Sequence, residues 1–293
     1  MNLAAIFLYL FMPFRPQGPT DAPPFHTPGV AEQVSDIEVL DSFCIEDFST
    51  GPYNVGIGHD GSHFWITEGV SMGGSGINQI YIIDDQTYQL LDQVDQNGTT
   101  PGWGLRDLCF DDQYMYGSDD SLVDYYESAT REKVGSYVCN ACSIHHAQAW
   151  DGQYFYTGSF SETIYRVEWD GVSGSTASHS VFSTAIENQA TYGIAYDDFY
   201  NCLWVTTANS DGLLYNLDME GGLIEIYNLS PEAPTSGGCC TAPFDGAERL
   251  WTVAQDDPDM VYCWWSEVPG LHRATWGGIK ALCGPPRLSG SVR

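Results

Sequence analysis

The chain has 293 residues, of which 43% are apolar and 14% aromatic, and its 39 acidic against 10 basic side chains give a formal net charge of −29. So many rings exclude a disordered chain, and so acidic a surface excludes binding to nucleic-acid phosphates or anionic membranes. The length suits one large domain or two small ones, with ample core.

The N-terminus opens on an apolar stretch, Leu3 to Phe14. It has the length of a signal-peptide core and is too short to span a bilayer. No Lys or Arg precedes it. Arg15 to Val34 is rich in Pro and polar residues and reads as a linker, so residues 1–34 are expected to stand outside the fold. No other stretch could cross a membrane. The expected location is secreted, periplasmic or on the cell surface. Of the nine cysteines, an exported chain would oxidise some, and the odd number leaves one over.

A pattern then recurs five times. An apolar strand ends in a ring followed by an acidic turn, and a second strand follows with another ring near its start. The turns begin at Asp60, Asp111, Asp151, Asp197 and Asp245. Just before them stand His59, Phe110, Trp150, Tyr196 and Phe244. Two before stand the small residues Gly58, Cys109, Ala149, Ala195 and Pro243. After them come Trp65, Tyr116, Tyr156, Trp204 and Trp251. Third strands are read at Ile80–Ile83, Leu122–Tyr126, Ile164–Val167, Leu213–Leu217 and Met260–Trp264. Weaker fourth strands are read at Leu90–Val94, Val134–Val138, His179–Phe182 and Leu223–Tyr227.

Four strands per unit at a period of 40–51 residues predict an all-β, five-bladed β-propeller over residues 35–270. The fifth unit lacks a fourth strand. Ile37 to Phe43 alternates like the outer strands and is expected to close the ring there, leaving no open sheet edge. A six-bladed ring is the alternative, but the residues after Gly270 are too few for another blade. They are read as a C-terminal tail, 271–293.

In such a ring the loops leading into the innermost strands gather round the axis. Counting back five residues from each turn gives Val55, Arg106, His146, Tyr192 and Cys240. Their neighbours are Asn54, Asp107, His145, Thr191 and Cys239. Asn54, Arg106, Asp107, His145, His146 and Tyr192 are therefore the candidate ligand-binding residues. The bland alternative pairs Arg106 with Asp107 and spends the histidines on backbone carbonyls. The run Cys139-Asn-Ala-Cys142-Ser-Ile-His145-His146 has ligand types and spacing that can hold zinc; a disulfide inside the loop is the other reading. Asp119-Asp120 with Asp124, and Asp256-Asp257 with Asp259, cluster carboxylates but lack the spacing of a calcium-binding EF-hand loop, and read as solvated turns. No cofactor is expected, with calcium or zinc the metals to consider. Asn97-Gly-Thr99 is a glycosylation sequon. No Gly-x-Ser-x-Gly elbow or Walker-type phosphate loop is present.

The stretch from Gly102 to Asp119, with Trp150 to Tyr156 and Ile164-Tyr165, resembles a group of exported bacterial propeller proteins, mostly uncharacterised. Thr275 to Lys280 resembles a terminal motif of such proteins. A weaker likeness is to the plant-type glutaminyl cyclases, which are also five-bladed. Their Glu-Gly-Trp-Gly-Leu segment and Ser-Asp-Gly turn are similar to Gly102-Trp103-Gly104-Leu105 and Ser118-Asp119. Pro101 stands where that motif carries Glu, and no Asn-Glu-Leu-Glu segment occurs.

These observations favour a monomeric, non-catalytic binding propeller that recognises a small molecule, glycan, peptide or protein partner at the axial rim. A propeller enzyme, either a cyclotransferase or a hydrolase, would use the same rim. A structural surface subunit would instead show apolar patches on its outer wall.

Overall fold

The computed structural model describes residues 34–49, 51, 53–70, 76–96, 102–118, 121–170, 175–186, 189–208, 211–230 and 232–265. The signal-like segment, Pro101, Asp119-Asp120, the Asn97 sequon, the 271–293 tail and its Cys283 lie outside them. Two short strands come first, β1 (Val34–Asp36) and β2 (Val39–Cys44). Four full blades follow. The first contains β3 (Tyr53–His59), β4 (His63–Gly69), β5 (Gln79–Asp84) and β6 (Leu90–Asp95). The second contains β7 (Leu108–Phe110), β8 (Tyr114–Ser118), β9 (Leu122–Glu127) and β10 (Lys133–Val138). The third contains β11 (Ala147–Trp150), β12 (Phe155–Gly158), β13 (Ile164–Asp170) and β14 (Ser175–Ser183). The fourth contains β15 (Thr191–Asp197), β16 (Cys202–Thr207), β17 (Leu213–Asp218) and β18 (Leu223–Asn228). The fifth has three consecutive strands, β19 (Ser236–Phe244), β20 (Ala247–Ala254) and β21 (Met260–Trp264).

The ring closes as the sequence predicts. Strand β2 pairs antiparallel with β21, Phe43 opposite Val261, and supplies the missing outer strand. The inner strands β3, β7, β11, β15 and β19 pack in sequence around the axis, and β19 returns to β3. Strand β1 lies parallel along β18, Val34 opposite Ile226, as a fifth strand on blade four. Among the described residues the only helix is one 3-10 turn, Ile45–Asp47. The fold is an all-β, five-bladed propeller.

Five apolar clusters fill the five wedges between blades, and each repeat ring anchors one. Trp65 lies between blades one and two, Tyr116 between two and three, and Tyr156 between three and four. Trp204 lies between four and five, and Trp251 between five and one. A ring of this size removes about 150–250 Å² from water, so these five side chains dominate the interblade contacts.

The repeated Asp works with that ring. Asp60 Oδ1 accepts the backbone N–H of Ser62 and His63, closing the turn, while Oδ2 accepts Trp65 Nε1 at 2.9 Å. Asp111 and Asp151 bond the hydroxyls of Tyr116 and Tyr156 at 2.7 and 2.8 Å. Asp197 takes Trp204 Nε1 at 3.1 Å. One carboxylate thus pins both the hairpin and the wedge-filling ring.

The fifth unit departs from this pattern. In the first four blades the wedge ring sits opposite the residue two before the Asp: Trp65 opposite Gly58, Tyr116 opposite Cys109, Tyr156 opposite Ala149 and Trp204 opposite Ala195. Trp251 sits opposite Cys240. Ala242, not Asp245, therefore takes the place of the clasping Asp, and the alignment on Asp245 is shifted by three residues. The β19–β20 hairpin continues past that point to its own tight turn at Asp245-Gly246, both at positive φ. Without a carboxylate to meet it, the buried Trp251 Nε1 has no hydrogen-bond partner.

Candidate functional site

The shift changes who meets at the axis. At the level five residues before the clasp stand Val55, Arg106, His146, Tyr192 and Gly237, so Cys240 and Cys239 are not rim residues. One residue further in stand Gly56, Asp107, Ala147, Gly193 and Gly238. Four of these are Gly or Ala, and the space they leave is taken by a single carboxylate.

Asp107 is fully buried. Its Oδ2 accepts the backbone N–H of Gln148 at 3.0 Å and of Ile194 at 2.9 Å, and its Oδ1 that of Cys239 at 3.1 Å. The N–H of Leu108 bonds it as well. These four donors occupy the same position in blades two, three, four and five. Burial pushes the Asp107 carboxyl well up, and the four N–H bonds pull against that. A Cβ on Gly238 would come 2.4 Å from Asp107 Oδ1, so glycine there is a condition of the arrangement. Asp107 is an axial tie between blades rather than a rim group, and it neither pairs with Arg106 nor faces the rim beside it.

The rim itself is a connected cluster on the face where the chain enters the inner strands. The Arg106 guanidinium lies 4.9 Å from the Trp103 ring and 5.9 Å from the Phe160 ring. Phe160, 44% exposed, meets His146 edge-on at 3.8 Å and Tyr192 at 5.4 Å. Arg106 also bonds the Tyr192 hydroxyl. Gln255 Nε2 donates to that hydroxyl and to the Asn54 carbonyl, both at 3.2 Å. Asn54 Nδ2 donates to Asp259 Oδ2 at 2.8 Å. Burial, with the charge of Arg106 beside it, lowers the His146 pKa to about 3. Its ring is therefore neutral, and its buried Nδ1 has no hydrogen-bond partner.

Arg106, His146, Tyr192 and Asn54 thus come together as the sequence suggests, while Asp107 and His145 turn elsewhere. Trp103, Phe160, Gln255 and Asp259 complete the cluster, and the sequence does not mark them as rim residues. Trp103 stands in the Gly-Trp-Gly-Leu segment, which marks its loop. Phe160 lies in the β12–β13 turn, at a position with no counterpart in the repeat.

His145 belongs to a separate buried knot. Its Nε2–H donates to the Cys139 carbonyl at 3.1 Å, so Nδ1 is an acceptor. Thr157 Oγ1 and Cys142 Sγ face that nitrogen at 2.9 and 3.2 Å. His146 points to Phe160 instead, so Cys139, Cys142, His145 and His146 do not converge on one point. Among the described residues no group of three or more His, Cys, Asp or Glu is placed to hold a metal ion. All eight described cysteines are thiols. No disulfide joins them; Cys142 Sγ faces the Ile144 carbonyl and His145 instead. Of the carboxylates in the two loop clusters, Asp124 pairs with Lys133 at 2.6 Å, and Asp259 accepts from Asn54.

The geometry defines a five-bladed propeller with an aromatic, arginine-centred rim. No protein-family model matches the chain, so the resemblance to exported bacterial propellers has no support from a sequence family. No curated protein matches it. Among solved structures it is similar to the glutaminyl cyclase of Myxococcus xanthus, with a TM-score of 0.58 at 9% identity, over 80% of this chain and 98% of that one. That likeness is one of fold. A chain of a mitotic checkpoint complex aligns at a TM-score of 0.44 and 15% identity, over 85% of this chain and 98% of that one.

Proposed function

We propose that the protein is an extracellular binding propeller that recognises a carboxylate-bearing glycan or peptide at its rim without transforming it. The observation that carries this reading is Arg106, held between the Trp103 and Phe160 rings at the axial mouth of an otherwise strongly acidic molecule. A guanidinium offers two parallel donors to a carboxylate. The flanking rings offer flat apolar faces to a sugar or a peptide side chain.

The non-catalytic part of the reading is supported by how the nearby acids and bases are occupied. Asp107 is taken up by backbone N–H groups and Asp259 by Asn54. Glu68 accepts the hydroxyls of Ser49 and Tyr81. His146 is neutral and lies against a phenyl ring rather than beside an acid or a nucleophile. General acid–base work needs a titratable pair within hydrogen-bond reach of one reacting atom.

The test is calorimetry with uronic-acid oligosaccharides and with peptides bearing a free C-terminal carboxylate, each set against its neutral ester or amide. The expected result is saturable binding of an acidic member that Arg106→Gln abolishes without lowering the melting temperature. Ammonia release from peptides with N-terminal glutamine, lost in Arg106→Gln, would replace this reading with a cyclotransferase.

A further inference from the structure

The opposite face holds a second candidate site. The axial channel widens beyond the Asp107 level into a cavity of about 310 Å³. Its wall begins with Leu108 and Ile194 and continues with Cys109, Ala149, Ala195 and Cys240. A collar of His59, Phe110, Trp150, Tyr196 and Thr241 follows, one residue from each inner strand. Asp112, Asp198 and Glu248 stand at the lip. The fully buried Asp107 level separates this funnel from the rim.

The funnel's chemistry is layered. Cys109 and Cys240 are 8% and 7% exposed, burial pushes both thiols well up, and such thiols behave as small apolar groups. The throat is therefore apolar, the collar largely aromatic and the lip anionic. No Lys or Arg is among the lining residues. His59, the one lining base, is turned to Asp85 at 3.1 Å, and burial lowers its pKa. Burial raises the Glu248 carboxyl, and the charges of Asp198 and Asp197 add to that. An aromatic-lined concavity with carboxylates at its mouth and no cation of its own is complementary to a positive charge on an apolar stem.

We propose that this funnel binds an organic cation, an ammonium or guanidinium group carried on an apolar body, independently of the rim on the other face. The apolar body would fill the thiol-lined throat. The charge would rest among the collar rings and the carboxylates of Glu248 and Asp198.

The experiment is calorimetric titration of the full chain with phenethylammonium, and with uncharged 2-phenylethanol as its shape control. It is run at about 0.15 M salt, where diffuse surface attraction is screened beyond roughly 8 Å. Phenethylammonium is expected to bind saturably and the alcohol not to. Glu248→Gln and Asp198→Asn should each weaken binding about fivefold or more. Glu168→Gln, an equal charge change at an exposed position on β13, and Arg106→Gln should leave it unchanged. Absence of saturable binding, equal binding of the alcohol, or equal weakening by Glu168→Gln would overturn the proposal. If Glu248→Gln does not fold, Asp198→Asn decides, because that side chain is exposed and holds no partner in place.

Discussion

Asp107 Oδ1 accepts the backbone N–H of Cys239 at 3.1 Å, although the two residues belong to blades two and five. Through the same carboxylate, Gln148 and Ile194 join blades three and four. One side chain thus supplies, at the axis, hydrogen bonds between inner strands that do not pair with one another in a sheet. Removing it strands several buried N–H groups, each costing roughly 1–3 kcal/mol. Asp107→Ala is expected to lower unfolding free energy by about 3 kcal/mol or more in urea titration, well beyond an Ala substitution at exposed Glu168. A loss under about 1 kcal/mol would show that the carboxylate does not tie the blades.

Gly238 carries the complementary prediction. Its Cβ would stand 2.4 Å from Asp107 Oδ1, and overpacking of this kind costs roughly 1–3 kcal/mol. Gly238→Ala should destabilise by that amount. In a double-mutant cycle with Asp107→Ala part of the cost should vanish, since the nearest clash partner is gone while the Gly56 Cα at 2.9 Å and the Ile57 N at 3.0 Å remain. Strict additivity would place the strain elsewhere.

The clasp and its exception can be compared directly. Trp204 Nε1 donates to Asp197, whereas Trp251 Nε1 has no partner, and both rings are fully buried. Replacing either by Phe removes similar volume. Trp204→Phe also takes a hydrogen bond from a buried carboxylate, worth about 1.5–3 kcal/mol. Trp251→Phe removes an orphaned donor instead. Thermal melts should show Trp204→Phe as the more damaging by about 1–2 kcal/mol; the reverse order would refute the clasp.

The repeat was legible in the sequence because its signal is local. An Asp that bonds amides two or three residues on and a ring five to seven residues on leaves all its parts within one hairpin. Strand β2 was legible because its alternation matched a missing strand. What escaped depended on register and distance. The shift to Ala242 in blade five is invisible without the pairing of Trp251 with Cys240, because Asp245-Gly246 makes an equally good turn. Strand β1 is three residues long and meets a partner some 190 residues away. Arg106 and Asp107 are adjacent in sequence and serve opposite purposes, one at the rim and one in the axis. Only the Gly and Ala column of the other four blades marks the second as a plug.

Ring closure yields its own prediction. Phe43 of β2 stacks on Tyr88 at 4.7 Å and lies in the wedge with Phe64 and Trp251. The Tyr88 hydroxyl donates to Asp41 at 2.6 Å. Phe43→Ala should cost about 3–5 kcal/mol and increase hydrogen exchange first in β21, whose outer edge β2 covers. Uniform loosening of all blades would mean that closure is not localised at this strand.

His146 gives the pH dependence. Its pKa in the folded protein is about 3, against an ordinary value of 6.5, because burial and Arg106 disfavour the imidazolium. Between those values the unfolded chain binds a proton that the folded chain refuses. Stability is therefore fully present above about pH 6.5 and is lost as pH falls toward 3, with a slope approaching 1.4 kcal/mol per pH unit from this one group. Carboxylates titrate over part of the same range, so the informative quantity is a difference. His146→Phe keeps a ring against Phe160 and cannot be protonated. Urea titrations at pH 7 and pH 5 should show wild-type protein losing about 1–2 kcal/mol more than the variant. Equal losses would mean that His146 takes up its proton as readily in the fold as in the unfolded chain, and at pH 5 a charged His146 beside Arg106 would double the positive charge the rim presents to a carboxylate.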